Sequence, residues 1–334
     1  IYPDYEKSLR EARYATDHFV HLEWGADNVA GRLAENPYTG FKEVPRQDDT
    51  SERDGDYLLT GGTPRVSMLG DWSESYFCDM IDWYLKVQEQ TDWLTGAAQW
   101  AFKDFSTPVR PENPIPYMNL KGIVQRDLTK KNAYYVFQSY WTEEPMVHIF
   151  GHGMPVRWGD EGERKLVKVY SNCPEAELFL NGKSCGIRKR DPNDFPAAGL
   201  RWEVVFAKGE NHLRVVARKD GRTVEDELRF IYQTEKWGEP KKIHAVAKPV
   251  EDGRVFVEAT VHDEHGVLCV DARLFVRFGL AGDGKLLDNL GTIHGSRVVQ
   301  TVNGRAGIYV DPRGGRSMVS VSIEGLPTAF VEIR

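Results

Sequence analysis

Glu23 is the most conspicuous polar residue in the stretch HFVHLEWGADN, because it closes an apolar and aromatic run that predicts a short buried strand. Gly25 follows two residues later and favours a sharp turn beside the carboxylate. Parallel α/β barrels place catalytic groups at the carboxyl ends of their strands, so Glu23 is a candidate catalytic carboxylate. On spacing alone, a surface or salt-bridged glutamate is the competing interpretation.

The elements around Glu23 alternate between strand and helix. A helix-like stretch precedes it, and a polar loop over residues 35–66 follows. SESYFCDMIDWYLKVQEQ predicts a helix with Ser73 as N-cap, LTGAAQWAFKDF a second strand, and TKKNAYYVFQSYW another helix. This order predicts βα units of a parallel sheet. Two such units cannot close a sheet, so we expect the chain to be a fragment of a larger protein.

Three motifs in this region resemble glycoside hydrolase family 2, which contains β-galactosidases, β-glucuronidases and β-mannosidases. HLEWGAD resembles the stretch that carries the family's nucleophile, and GAAQWAFKDFSTP resembles its eighth barrel strand. NLKGIVQRDLTKKNAYYVFQSYW resembles the segment that ends in the family's closing helix. The resemblance implies that residues 1–152 are the C-terminal portion of the family's catalytic (β/α)8 TIM barrel.

The resemblance also implies a reaction, double displacement by a retaining exo-β-glycosidase with Glu23 as the nucleophile. Such enzymes need a second carboxylate, the acid/base, roughly 5–5.5 Å from the nucleophile. In the family that residue lies upstream, but here Glu6 and Glu11 fall in a helix-like stretch. Glu74 comes after the nucleophile and is predicted in the first turn of a helix, so it is not assigned as the acid. We expect the N-terminal half of the enzyme, from the same gene or a separate chain, to supply it.

By the same resemblance, the residues expected to bind substrate are His21, Trp24, Trp100, Asp104, Asn119 and Lys121. Trp100 would form the floor beneath the terminal sugar, with a core position as the alternative. Asp104 would accept hydrogen bonds from sugar hydroxyls or cap the following loop. His21 lies on the same strand face as Glu23 and either lines the pocket floor or is a hydrogen-bonded core histidine.

Asn119 and Lys121 bear on which sugar is bound. In family β-glucuronidases an Asn-x-Lys pair binds the substrate carboxylate, and NLKG matches that pair. Similar stretches occur in members that act on galactosides. The first expectation is therefore a β-galactosidase-like enzyme acting on terminal β-galactosides in polysaccharide degradation. A β-glucuronidase or galacturonidase is the alternative, and a non-catalytic carbohydrate-binding fragment is the alternative from another class.

The residue periodicity changes to two from about residue 163, which predicts antiparallel strands. NGK after ELFL predicts a hairpin turn. Residues 163–233 resemble an immunoglobulin-like β-sandwich, and residues 241–334 resemble a second, invasin-like sandwich. The predicted fold is thus multidomain, with the end of a TIM barrel followed by two all-β immunoglobulin-like sandwiches.

Two tempting motifs are not assigned as sites. His148 and His152 lie four residues apart near Trp158, but no third ligand is close in sequence, so the expectation is no metal and a packing junction instead. GLAGDGKLLDNLG lacks the Lys-Ser/Thr ending of a phosphate loop and is interpreted as a sandwich loop. No cofactor is expected.

Charge and composition limit the remaining partners. The net charge of −7 is spread over both signs without a basic face, which argues against nucleic-acid binding. No apolar run has the roughly 18–20 residues of a membrane helix. The four cysteines, Cys78, Cys173, Cys185 and Cys269, leave disulfides open. Expected partners are a carbohydrate substrate and the N-terminal half, with a homo-oligomer as an option. A periplasmic or secreted location is inferred from the family alone.

Overall fold

The computed structural model describes residues 5–25, 74–108, 113–191, 200–287 and 297–334. The helices are α1 (Tyr5–Ala15), α2 (Glu74–Glu89) and α3 (Asn132–Trp141). The strands in chain order are β1 (Phe19–Trp24), β2 (Leu94–Gln99), β3 (Phe105–Ser106), β4 (Met118–Asn119), β5 (Val147–Ile149), β6 (Val156–Trp158), β7 (Arg164–Ser171), β8 (Glu175–Leu180), β9 (Lys183–Lys189), β10 (Arg201–Val205), β11 (Gly209–Lys219), β12 (Arg222–Gln233), β13 (Lys242–Pro249), β14 (Val255–His262), β15 (Phe275–Gly282), β16 (Lys285–Leu287), β17 (Val298–Gln300), β18 (Arg305–Asp311), β19 (Ser317–Ser322) and β20 (Ala329–Ile333). None of these helices is long and apolar enough to cross a membrane.

The chain divides into two compact units. The first comprises Ile1–Asp104 and Leu120–Gln233, and the second comprises Phe105–Asn119 and Thr234–Arg334. The segment Phe105–Asn119 groups with the C-terminal strands, and one reason is that the backbone N–H of Gln300 donates to the carbonyl of Pro114 at 2.7 Å. Sequence periodicity gave no sign of this grouping. The limits of the three predicted domains remain predictions.

The first unit begins with a parallel strand pair. β1 pairs with β2 in parallel, and the chain between them includes α2, as the alternating pattern predicts. α2 buries a stripe of apolar side chains at helical spacing, namely Phe77, Met80, Ile81, Tyr84 and Leu85. This stripe shares a core with residues of α3, including Val136 and Phe137. The two strands and two helices are thus confirmed in type and order, and the closed barrel stays a prediction. The predicted burial of β1 is wrong, because Val20 is 47% and Leu22 is 73% exposed. The polar loop 35–66 and Ser73 lie outside the described residues.

Glu74 joins the first turns of α2 and α3. It is the first residue of α2, as predicted, and its buried Oε1 accepts the backbone N–H of Asn132 at 2.8 Å. Burial raises the pKa of Glu74, and the hydrogen bond from Asn132 and the charge of Lys131 partly oppose that rise. A carboxylate engaged in this way serves as a helix-start anchor, in agreement with its exclusion as the acid/base.

The rest of the first unit consists of two antiparallel sheets around one core. The sheet orders are β10-β7-β5 and β6-β12-β11-β8-β9, with β6 joining β12 in parallel. Both sheets contribute to the core, through residues such as Val167, Leu178, Trp202 and Val215. The predicted hairpin between β8 and β9 turns at Asn181 and Gly182, both with positive φ. Cys173 and Cys185 are free thiols.

A buried ion-pair network connects α2 to this sandwich within the first unit. Asp79 of α2 accepts hydrogen bonds from Lys168 of β7 at 2.6 Å and from Arg201 of β10 at 3.3 Å. Nearby, the hydroxyl of Tyr140 donates to Asp82 at 2.6 Å. Burial lowers the pKa of Lys168, and the charge of Asp79 opposes that change. The network fixes α2 against two strands through the buried charges of Asp79 and Lys168 and the largely buried charge of Arg201.

The second unit also contains two sheets on a shared core. The orders are β13-β14-β18-β16 and β17-β15-β19-β20, and the core draws on both, for example on Val257, Phe278, Ile308 and Val319. Alternating burial along β14 confirms the predicted period of two. β3 and β4 form a separate antiparallel pair. The two-sheet arrangement is seen in both units, whereas the immunoglobulin-like and invasin-like assignments remain predictions.

Candidate active site

Glu23 lies at the carboxyl end of β1 and is exposed. The backbone N–H of Trp100, which follows β2, donates to the carbonyl of Trp24 at 2.8 Å. The two strand ends therefore meet, and Glu23 and Trp100 share one edge of the parallel pair. Gly25 has φ +66°, and a Cβ there would lie 3.2 Å from the Cγ of Gln99. Glycine thus permits the turn beside Glu23 that its position in the sequence predicts.

Lys121 is brought to the same edge by backbone hydrogen bonds. Ala101 donates to the carbonyl of Lys121, and Ile123 donates back to the carbonyl of Ala101, both at 3.1 Å. The stretch around Lys121 therefore runs alongside the residues that follow Trp100. Trp100 itself is 43% exposed, and its peptide bond to Ala101 is cis. Its predicted role beneath a sugar agrees with an exposed ring, and its alternative as a core tryptophan does not.

The side chain of Asp104 is buried and binds other groups of the protein. The side chain is 1% exposed and accepts hydrogen bonds from the N–H of Gly122 and the ammonium of Lys131, both at 2.8 Å. Burial raises its pKa, and Lys131 opposes that rise. Of the two predicted roles, the structure supports the loop-holding one and corrects the expectation of sugar contact, because the carboxylate is enclosed and already paired. No local pattern in the sequence indicates the role of Lys131, because its partner Asp104 lies 27 positions upstream.

Trp24 is a second correction. The expectation was contact with substrate, but the side chain is 1% exposed and lies in the core of the first unit. Its ring centroid is 5.0 Å from that of Tyr84 and 5.7 Å from that of Phe137. Glu23, the residue before Trp24 on β1, is exposed. Neighbouring positions on a strand point to opposite faces, so the two residues could not both line one pocket.

Replacing Trp24 by Phe tests this placement. We expect a loss of about 1–2 kcal/mol in unfolding free energy, because a core ring becomes smaller, with substrate KM essentially unchanged. Urea denaturation and steady-state kinetics on the full-length protein measure the two quantities. Trp141→Phe is the matched control, because that ring is largely exposed. A raised KM with unchanged stability would instead assign Trp24 to the substrate pocket.

His21 lies two residues before Glu23 on β1 and is half-buried. Burial lowers its pKa, whereas a hydrogen bond with the Glu23 backbone and the charge of Glu23 raise it. Burial is the larger effect, so the ring is neutral beside Glu23 at neutral pH. Both predicted roles, pocket floor and hydrogen-bonded core histidine, agree with this position.

Asn119 is the last residue of β4 and belongs to the second unit. It pairs with Phe105 of β3, and the loop between these strands is closed by two further bonds. Thr107 donates to the carbonyl of Tyr117 at 2.9 Å, and the Asn113 amide donates to that of Met118 at 2.6 Å. These bonds fix the backbone that leads to Asn119. Its predicted contact with a substrate carboxylate remains a prediction.

A separate cluster in the first unit could hold a metal. His148 and His152 are joined by Asp226 of β12, and one ligand atom from each lies within 4.8 Å of the others. The expectation of no metal rested on the lack of a third ligand nearby in sequence. The structure supplies a third candidate ligand, Asp226, which lies 74 residues after His152. No local pattern could have identified it, because only the packing of the turn after β5 on β12 brings the three together.

Comparisons with known proteins agree with the motifs. Residues 162–225 match a family described as a domain of unknown function, DUF4982. A relative from Formosa agariphila, whose name gives β-glucuronidase as its proposed activity, is 41% identical over 314 residues, 94% of this chain and 38% of the relative. Beta-galactosidase BoGH2A of Bacteroides ovatus is 28% identical over 271 residues, 75% of this chain and 29% of that protein.

The chain is also similar to a β-glucuronidase of known structure. The crystal structure of Parabacteroides merdae β-glucuronidase, with glycerol in its active site, superposes with a TM-score of 0.87 at 46% identity. The match covers 100% of this chain and 40% of that protein, so the chain spans about two fifths of the length of such relatives. These relatives agree with the fold and with the three sequence motifs of the first 152 residues. The chain belongs to glycoside hydrolase family 2.

Proposed function

We propose that this chain is the nucleophile-bearing part of a retaining exo-β-glucuronidase. The observation that carries the proposal is the strand edge at which Glu23, Trp100 and Lys121 occur together. Two backbone hydrogen bonds hold this edge, from Trp100 to Trp24 and from Ala101 to Lys121. An exposed carboxylate, an exposed aromatic ring and an ammonium group are the groups needed to attack, stack on and neutralise an acidic sugar. The names of the relatives from Formosa agariphila and Parabacteroides merdae support the same activity.

The reaction follows from the chemistry of the carboxylate. An oxygen of Glu23 attacks the anomeric carbon, a carbon–oxygen bond forms, and the bond to the leaving group breaks. The acid/base residue from the N-terminal part, present as a carboxylic acid, protonates the leaving oxygen and becomes a carboxylate. The same group then removes a proton from water, which attacks the anomeric carbon and releases the sugar and Glu23 with net retention. Glu23 is at the solvent-exposed end of β1, where both substrate and water have access.

A glucuronide is favoured over the galactoside that was first expected. The 6-position of a glucuronide is a carboxylate, whereas that of a galactoside is a neutral hydroxymethyl group. An ammonium such as that of Lys121 can form a charge-assisted hydrogen bond with the carboxylate of a glucuronide. With the hydroxymethyl group of a galactoside, the same ammonium loses hydration and gains only a weaker hydrogen bond. One relative is named a β-galactosidase, at lower identity. Galactosides therefore remain the competing substrate class.

Replacing Lys121 by Met tests the substrate class in the full-length protein. We expect kcat/KM for an aryl β-glucuronide to fall by about 10–150-fold, because a hydrogen bond between charged groups contributes about 1.5–3 kcal/mol. Activity on the aryl β-galactoside should change little. Lys130→Met is the control, because that lysine is exposed and lies over the Tyr134 ring. An equal loss on both substrates would remove the argument for a carboxylate clamp.

A carbohydrate-binding role without catalysis is the competing function for this portion alone. It has the same exposed Trp100 in its favour, because aromatic faces stack on sugar rings. The two functions differ at Glu23. Binding of sugar without formation of a covalent intermediate in the full-length protein would favour the binding role.

A further inference from the structure

His148, His152 and Asp226 meet where the end of β5 and the following turn pack on β12, inside the first unit. The Nε2 of His152 is 2.8 Å from the Oδ2 of Asp226, and the Nδ1 of His148 is 3.7 Å from the same oxygen. The backbone N–H of Ile149 also donates to this oxygen at 2.6 Å. Two imidazoles and a carboxylate thus converge on one point, although the hydrolase mechanism uses none of them.

The hydrogen bonds of Asn132 determine which nitrogen of His148 faces the cluster. The side-chain oxygen of Asn132 accepts the N–H of Gly151 at 2.9 Å, so this atom must be the amide oxygen. The Nε2 of His148 lies 3.1 Å from that oxygen and therefore donates to it. In a neutral imidazole that donates through Nε2, the lone pair is on Nδ1. That lone pair faces the carboxylate of Asp226, where a cation would be attractive to both.

The two histidines differ in burial and in the space around them. The ring of His148 is buried and stacks on Tyr135 with centroids 3.6 Å apart and planes at 9°. His152 is 40% exposed and lies between Gly151 and Gly153, and a Cβ at Gly153 would meet no other atom within 4 Å. His148 is therefore enclosed by its neighbours, whereas the side chain of His152 has space to rotate.

These distances suit a small divalent cation after a limited movement. Zinc binds imidazole nitrogen at ~2.0–2.1 Å and carboxylate oxygen at ~2.0–2.2 Å, which sets tetrahedral ligand atoms about 3.4 Å apart. His148 and Asp226, at 3.7 Å, are close to that spacing. The two imidazole planes are now 19° apart, so His152 must rotate to aim its Nε2 at the shared point. Its exposure allows this rotation, and the same exposure gives the ion a path from solvent.

We propose that His148 Nδ1, His152 Nε2 and an oxygen of Asp226 form a zinc-class metal site, with water as the fourth ligand. Two imidazoles and one carboxylate are donors typical of zinc and other late first-row divalent ions. Binding through His152 Nε2 needs the tautomer that carries its proton on Nδ1, so that the Nε2 lone pair faces the ion. Asn132 and the Ile149 N–H are the outer partners that orient His148 and Asp226. The ion would tie the turn after β5 to β12 and stabilise the first unit, independently of glycoside hydrolysis.

The test measures metal binding in the full-length, tag-free protein after treatment with chelator. We expect one Zn²⁺ per chain by elemental analysis after dialysis against a trace of zinc. Co²⁺ in its place should give the visible absorption of a tetrahedral complex. A zinc concentration 100-fold above Kd should raise Tm by several degrees.

Two substitutions and one control variant show whether the bound zinc occupies this site. His152→Ala and Asp226→Asn should each abolish the stoichiometric ion and the Tm rise, and His152→Ala changes a side chain that is already part-exposed. His212→Ala is the control, because His212 also pairs with a carboxylate of the same sandwich, Glu227, at 3.0 Å. No bound zinc in the unmodified protein, or equal binding by the His152→Ala protein, would overturn the proposal. Neither outcome bears on hydrolase activity, which is measured separately.

Discussion

Replacing Glu23 by Gln is expected to reduce kcat/KM on an aryl β-glucuronide by at least about 10⁴-fold in the full-length protein. The amide has nearly the shape of the carboxylate but cannot attack the anomeric carbon. Because Glu23 is exposed at the end of β1, the substitution leaves the core around Trp24 unchanged. Steady-state kinetics measure the loss, and thermal unfolding verifies that the Tm stays within a degree or two of the unmodified protein.

Trapping the covalent intermediate identifies the nucleophile directly. A 2-deoxy-2-fluoro-β-glucuronyl fluoride should label the peptide that contains Glu23, as read by mass spectrometry, and the Glu23→Gln protein should take no label. Glu11→Gln is the matched control, because Glu11 is an exposed acid of α1 and should keep full activity. Label on another peptide would move the nucleophile elsewhere. Preferential labelling by the galactosyl reagent would restore the galactoside as the substrate.

Replacing Asp79 by Ala is expected to destabilise the first unit by about 3–5 kcal/mol. Lys168 would keep its buried charge without a carboxylate, and Arg201 would retain only its longer contact with Asp82, at 3.9 Å. α2 would lose its link to β7 and β10, and Tm should fall by roughly 10 °C. Differential scanning calorimetry of the full-length protein measures the change. The prediction concerns stability, and Asp79 has no assigned part in the chemistry.

Two further variants separate the buried charge from ordinary loss of contact. Asp79→Leu combined with Lys168→Met removes both charges and should recover much of the lost stability, because burying a neutral pair carries no charge desolvation. Glu203→Ala disrupts the exposed pair with Arg164, 3.2 Å apart on the same sandwich, and should change stability by less than about 1 kcal/mol. If Asp79→Ala costs no more than Glu203→Ala, the network does not hold α2 in place.

Local sequence patterns were enough for much of the fold. The apolar run ending at Glu23 predicted β1, the helical spacing from Phe77 to Leu85 predicted α2, and Asn181-Gly182 predicted the β8–β9 hairpin. Each depends on neighbours within a few positions, where backbone geometry sets the period and the turn conformation. The position of Glu23 at a strand end, and of Gly25 after it, followed from the same local rules.

Tertiary structure alone decided which side chains face a pocket and which fill a core. Periodicity tells which residues share a face, but it does not tell which other element covers that face. Trp24 and Asp104 looked like pocket residues, and both are enclosed, one by Tyr84 and Phe137 and the other by Gly122 and Lys131. Asp226 joins two histidines from far along the chain. Contacts between distant segments arise from packing, so the sequence by itself determined the strand end that bears Glu23, and the fold decided what surrounds it.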